Sequence, residues 1–268
     1  MKNFFTILFF LVTCFITRAQ KDSCCKLVAE IKGDIVDFTV DYLDDVYVLN
    51  SKDQLKKYNA NGDSVAVFNN VKRFGKVSLI DASNPLKVLL YYKDFSTIVV
   101  LDRMLAQKTV IDLRKQRIYQ VNVIAQSYDN NIWLFDETES KLKKVDDNGK
   151  LLMETADFRQ LFDEAPQVEN ISDQNGFVYL YDPKRNVFVF DYYGGLRNKI
   201  PITSWNNFKV AEKFIYGNNH DTLHRYNIAN FVEDNLPIEA LRDAVKINFS
   251  SSRLYALKED GLKIYSLH

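Results

Sequence analysis

His220 and His224 are the histidines in this 268-residue sequence with a spacing that could hold a metal. On a helix that spacing would place both on one face. The surrounding GNNHDTLHRYN reads instead as a turn entering a strand, where four residues span about 13 Å, too far for one shared metal. Asp41, Asp81, Asn122, Glu169 and Asp173 are further oxygen ligands, but they fall at unmatched positions and read as solvated strand ends. No GxSxG elbow, P-loop or dinucleotide fingerprint follows a strand and opens a helix. The pattern that remains is one of recognition: basic and aromatic residues, Lys72, Arg73, Phe74, Lys76, Arg114, Lys115, Arg117, Tyr119, Phe158 and Trp205, gathered in a few polar connections. Arginine and aromatics are the types that carry protein-interface hot spots. In a chain whose 35 basic and 35 acidic residues balance, a local basic face points to an acidic protein partner rather than to nucleic acid.

These connections join repeated hairpins. DDVYVLNSKDQLKKYNANG (44–62) has two short runs rich in β-branched and aromatic residues, a polar turn between them, and Asn61-Gly62 at the next turn. NNIWLFDETESKLKKVDDNG (130–149) and GFVYLYDPKRNVFVFDYYGG (176–195) repeat it. Aligning the second strand of each unit on Val46, Val88, Ile132, Val178, Ile215 and Leu254 gives separations of 42, 44, 46, 37 and 39 residues. Four-stranded units of about 40 residues are propeller blades, and six of them predict an all-β six-bladed propeller. The sixth unit ends one strand short, while KLVAEIK (26–32) stands alone before the first, so the N-terminal strand is expected to complete the last blade. Blade five is the least regular, its fourth strand placed near Phe231. Two stretches with helical spacing, 157–165 and 237–244, fall between blades.

Lys2, a 13-residue apolar run and Thr17-Arg18-Ala19 form a signal peptide over residues 1–19, leaving residues 20–268 as one domain. The run is short for a membrane span, and no second long apolar segment follows. Cleavage would leave Cys24 and Cys25, a vicinal pair in a lead-in segment that cannot form a disulfide scaffold. Asn170-Ile-Ser172 and Asn248-Phe-Ser250 match the glycosylation triplet, which matters only in a eukaryotic secretory path.

The units VYVLNSKDQLKKYNANG, IWLFDETESKLKKVDDNG and VYLYDPKRNVFVFDYYGG resemble the NHL-type propeller repeat, over most of residues 26–268. The leader ending in Ala-Gln and the Lys/Asn/Phe/Tyr-rich composition resemble exported proteins of the Bacteroidota. These readings predict a non-enzymatic protein-binding or assembly module without a cofactor, exported to the periplasm or cell surface. Its partner would be an acidic protein of the cell envelope. The alternative is a lactonase-like hydrolase or a lyase with a metal over the central channel, implied by likeness to six-bladed enzymes.

Overall fold

The structure, a computed structural model, describes residues 25–69, 73–162, 164–250 and 252–267. The signal-peptide expectation and Cys24 fall outside those residues. Strand β1 (Cys25–Ile31) precedes the first blade, which is built from β2 (Asp37–Val40), β3 (Val46–Leu49), β4 (Leu55–Tyr58) and β5 (Ser64–Phe68). Blade two holds β6 (Leu79–Asn84), β7 (Lys87–Tyr92), β8 (Thr97–Asp102) and β9 (Gln107–Asp112). Blade three holds β10 (Val121–Gln126), β11 (Ile132–Asp136), β12 (Lys141–Val145) and β13 (Leu151–Glu154). Blade four holds β14 (Asn170–Gln174), β15 (Phe177–Asp182), β16 (Asn186–Asp191) and β17 (Leu196–Ile200). Blade five holds β18 (Asn206–Ala211), β19 (Phe214–Asn219), β20 (Thr222–Asn227) and β21 (Glu233–Pro237). Blade six takes β22 (Lys246–Phe249), β23 (Arg253–Lys258) and β24 (Gly261–Leu267), and its fourth strand is β1.

Every blade is an antiparallel four-stranded sheet, and each blade's first strand abuts the first strands of its neighbours, so the chain forms a six-bladed β-propeller. The ring is closed as the sequence predicts: β1 pairs antiparallel with β24, Cys25 opposite Leu267 and Ile31 opposite Leu262. That pairing covers the edge the last blade would otherwise expose. Cys25 is not in a lead-in but begins β1, buried beside Leu223, Ile238 and Leu241.

The second and third strands of most blades are buried on both faces, as in VYVL, KVLLYY and IWLFD, because each sheet is sandwiched between two others. The fourth strands are largely exposed. In blade five that strand is Glu233–Pro237 rather than the residues around Phe231. The turn before it is one residue longer than its counterparts, with Asn227 N–H donating to the Val232 carbonyl. The two helical stretches shrink to one turn each, Phe158–Leu161 and Glu239–Leu241. Among the described residues no helix is long and apolar enough to cross a membrane.

Candidate functional site

One five-residue turn recurs around the ring. Asn59, Asp102, Asp146 and Asp191 end the third strands of blades one to four, and the side-chain Oδ1 of each accepts the N–H groups two and four residues on. This Asx cap fixes the turn. The fourth turn position is left-handed, held by Gly62, Gly149 and Gly194, and by Leu105 at φ 59°. Asp41 and Ser127 open turns with the same backbone bonds between first and second strands. Both sets of turns lie on one rim, here the turn rim. The linkers between blades and the turns between second and third strands make the opposite, linker rim.

Positions two and three of these turns mostly point away from the sheet, Tyr192 excepted, which folds back against the core. They carry Tyr42, Leu43, Met104, Tyr128 and Tyr193 on the turn rim; the other turns there add Leu86, Phe231 and Val232. All eight are more than half exposed, and Tyr193 is 93% exposed. On the linker rim, among the described residues, only Tyr119 and Val245 are large apolar side chains exposed to that degree.

Of the turn-rim aromatics, Tyr128 is held in place. Tyr128 stacks on Tyr192 with ring centroids 4.4 Å apart, and Lys144 Nζ lies over the rings of Tyr128, Trp133 and Tyr192. Beneath them Asp173 of blade four accepts hydrogen bonds from Ser127 Oγ, Tyr128 N–H and Trp133 Nε1–H of blade three. It also accepts one from Tyr192 Oη at 2.6 Å. The rim's carboxylates are largely neutralised within the chain: Asp45 by Lys57 and Asp129 by Lys144, each at 2.8 Å, Asp44 by Arg253 at 3.6 Å, and Asp147 by Lys87. What the rim offers a partner is therefore chiefly apolar.

The residues singled out on the linker rim are not brought together as one face. Lys72 lies outside the described residues. Phe74 is half-buried against the core and packs on Tyr92, 5.4 Å between centroids, while Arg73 lies over the Phe74 ring. Arg114 is tied to Asp112 of its own turn by two hydrogen bonds. Arg117 closes that turn in a left-handed conformation, and Tyr119 is exposed. Trp205 is 8% exposed and sits over Gly217, where an added Cβ would come within 2.7 Å of it. Its other ring contact is His224, stacked at 5.0 Å. Phe158 is fully buried. Phe74, Phe158 and Trp205 cap the core, because long linkers have enough chain to fold apolar side chains back beneath them.

Of the residues near strand ends, Asp41 and Asp173 are structural and not solvated, whereas Glu169 is exposed. Asp41 is buried and accepts from Tyr47 Oη and from the N–H groups of Leu43 and Asp45. Burial pushes its carboxyl above the ordinary range in spite of those bonds. Asp81 accepts from Ser83 N–H and, across the blade junction, from Gln126 N–H. Asn122 donates to Glu137. Glu169 uses its backbone N–H to bond Tyr181. Among the described residues no three His, Cys, Asp or Glu side chains are grouped as metal ligands would be.

A second polar set was not singled out in the sequence. On most of the first strands alternate residues are buried in the blade junctions, such as Phe38, Phe208 and Ile247, while the intervening positions line the channel half-buried. Those positions hold Asp37 and Thr39, Leu79 and Asp81, Asn170 and Ser172, Asn207 and Lys209, and Lys246 and Asn248. They bridge blades: Lys209 Nζ donates to Asn248 Oδ1 at 2.8 Å, Asn248 Nδ2 to Thr39 Oγ1 at 3.4 Å, and Lys246 Nζ to Asp37 Oδ1 at 2.5 Å. A lysine between Phe208 and Val210 in an innermost strand was the available signal.

No protein-family model matches the chain, and no curated protein matches it in sequence. Solved structures do. A catalytically inactive virginiamycin B lyase from Staphylococcus aureus with quinupristin is 14% identical, with a TM-score of 0.63 over 91% of this chain and 100% of that one. A streptogramin B lyase is 13% identical, TM-score 0.59, covering 87% and 79% of the two chains. The Pan2 WD40 domain of Neurospora crassa is 10% identical, TM-score 0.60, covering 90% and 81%. At these identities the likeness is one of propeller fold. It joins an enzyme and a WD40 domain and does not extend to NHL kinship.

Proposed function

We propose that this chain is a non-enzymatic docking module that presents its turn rim to another protein, with Tyr128, Tyr193 and Phe231 as aromatic anchors. The observation that carries this reading is the eight apolar side chains projecting from turns of five blades on one rim, against two on the other among the described residues. Exposed apolar surface of this extent marks interaction sites, and stacked tyrosines are preorganised for contact at low entropic cost. The partner is a protein with an apolar contact surface, since most of the rim's carboxylates are paired within the chain. Export to the periplasm or cell surface remains part of the proposal and rests on the N-terminal apolar run alone. The acidic partner expected from the linker-rim cations is the competing proposal.

The test uses pull-down of the native partner by the wild-type chain and two variants. Tyr128→Ser/Tyr193→Ser/Phe231→Ser should lose the partner by about tenfold or more in affinity, consistent with hot-spot losses. Arg73→Glu/Arg117→Glu should retain it. The opposite result would assign docking to the linker rim and an acidic partner.

An enzymatic reading is favoured by a separate observation, the meeting of Thr39, Lys209 and Asn248 from three blades in the channel. The lyase likeness does not supply its residues: His220 and His224 lie on the hairpin of the second and third strands of blade five, beside a shallow hollow with Asn219, Asp221 and Thr222.

A further inference from the structure

Lys209 is the channel residue whose hydrogen bonding suits it to chemistry. Its neighbours in β18, Phe208 and Val210, are buried in the junction with blade four, which fixes the strand's register. The side chain instead reaches blade six, where Nζ donates to Asn248 Oδ1 at 2.8 Å and to the Phe249 carbonyl at 2.5 Å. Asn248 is itself held, its Oδ1 accepting Phe249 N–H and its Nδ2 donating to Thr39. An ammonium has three N–H donors and a neutral amine two. Both donors of the amine are already placed on carbonyl oxygens, and the third tetrahedral position has no partner among the described residues. Deprotonation therefore costs Lys209 no hydrogen bond to the described residues and leaves its lone pair at that third position.

We propose that Lys209 is a nucleophilic amine that captures small, uncharged carbonyl compounds in the channel as an imine. The lone pair adds to the carbonyl carbon while the C=O π electrons move to oxygen, which takes a proton from the nitrogen to give a carbinolamine. Loss of that hydroxyl with the remaining amine proton forms C=N, so R–NH2 and O=CHR′ give R–N=CHR′ and water with no change in oxidation state. The imine surrenders the bonds to Asn248 and Phe249, so the adduct is reversible and needs reduction to be trapped. An uncharged substrate suits a channel flanked by Asp41, Asp44 and Asp81, with Lys246 already paired to Asp37. Burial lowers the Lys209 ammonium to about 8, outweighing the opposing pull of Asp81, Asp41 and Asp44.

The site is independent of the docking rim, and its test needs no partner. The folded wild-type chain is incubated with acetaldehyde and sodium cyanoborohydride from pH 6 to pH 10, and alkylated lysines are mapped by mass spectrometry. Lys209 should be alkylated about tenfold or more faster than the typical surface lysine at neutral pH, because a lowered pKa raises the fraction of free amine. Half-maximal reactivity should fall near pH 8. Asn248→Ala, which removes an acceptor that holds the ammonium more strongly than the amine, should move the half-maximal reactivity of Lys209 to lower pH and leave surface lysines unchanged. Labelling of Lys209 no faster than surface lysines, labelling only above about pH 10, or none in the folded chain would overturn the proposal.

Discussion

The two rims use similar short turns but differ in what else connects their strands. On the turn rim the five-residue Asx turn recurs between consecutive strands, and its second and third positions mostly extend past the sheet, Tyr192 excepted. Apolar residues there, such as Leu43, Met104 and Tyr193, have to project. On the linker rim the blade-to-blade connections are longer, and they tuck Leu113, Ile118, Phe158, Ile202, Trp205, Ile238 and Leu241 under themselves. The same residue types thus seal the core on one side and remain available on the other. Connection length, more than composition, decides which rim leaves its apolar side chains exposed.

Removing Cys25–Ile31 sets the scale for testing that contrast, since it opens blade six and destroys both rims. The truncated chain should be insoluble or fail to fold, read from the soluble fraction on expression. Trp205→Ala comes next and probes the linker rim as core: it should cost about 3–5 kcal/mol in urea unfolding, as for other buried tryptophans. A loss below about 1 kcal/mol would show that Trp205 is a surface anchor after all. Asp173→Ala should destabilise by about 3 kcal/mol or more, because it strands the Trp133, Tyr192, Ser127 and Tyr128 donors together.

Acid should act on the same junction through Asp129. Desolvation alone would raise its carboxyl, but hydrogen bonds from Lys144, Ser127 and Asn131 and the Lys144 charge bring it down to about 2. Its folded value lies below the ordinary 3.8, so its stabilisation is complete above that value and is lost as pH falls through 2. Asp129→Asn should flatten this part of the pH dependence of the urea midpoint. The smallest effect tests the turn rim directly. Tyr193→Ala should change stability by no more than about 0.5 kcal/mol while weakening partner binding.

The blades were legible because strands buried on both faces read as apolar runs at a regular interval, and the pairing of β1 with β24 followed from a missing strand. The first strands are harder to delimit in the sequence, since half-buried channel positions such as Asp81 and Asn170 carry no apolar signal. The fourth strand of blade five, EDNLP, is exposed nearly throughout and contradicts β-propensity, so the nearby Phe231 drew the assignment. Neither candidate site was legible in advance. Lys209 gains its character from residues of blades six and one, and Tyr128 or Phe231 in sequence is indistinguishable from a strand flank.

The bond between β1 and β24 also sets a clock on the making of this protein. The propeller's first strand can pair only with its last, so no nascent chain that lacks β24, however many blades it has completed, can be a closed ring. At roughly 5–20 residues per second the wait is on the order of tens of seconds. Throughout it Leu27 and Val28 sit on an unpaired strand, and blade one lacks its neighbour. A prematurely terminated product keeps those open edges permanently, which marks it for chaperones and proteases, whereas the full-length chain hides them in a single final step.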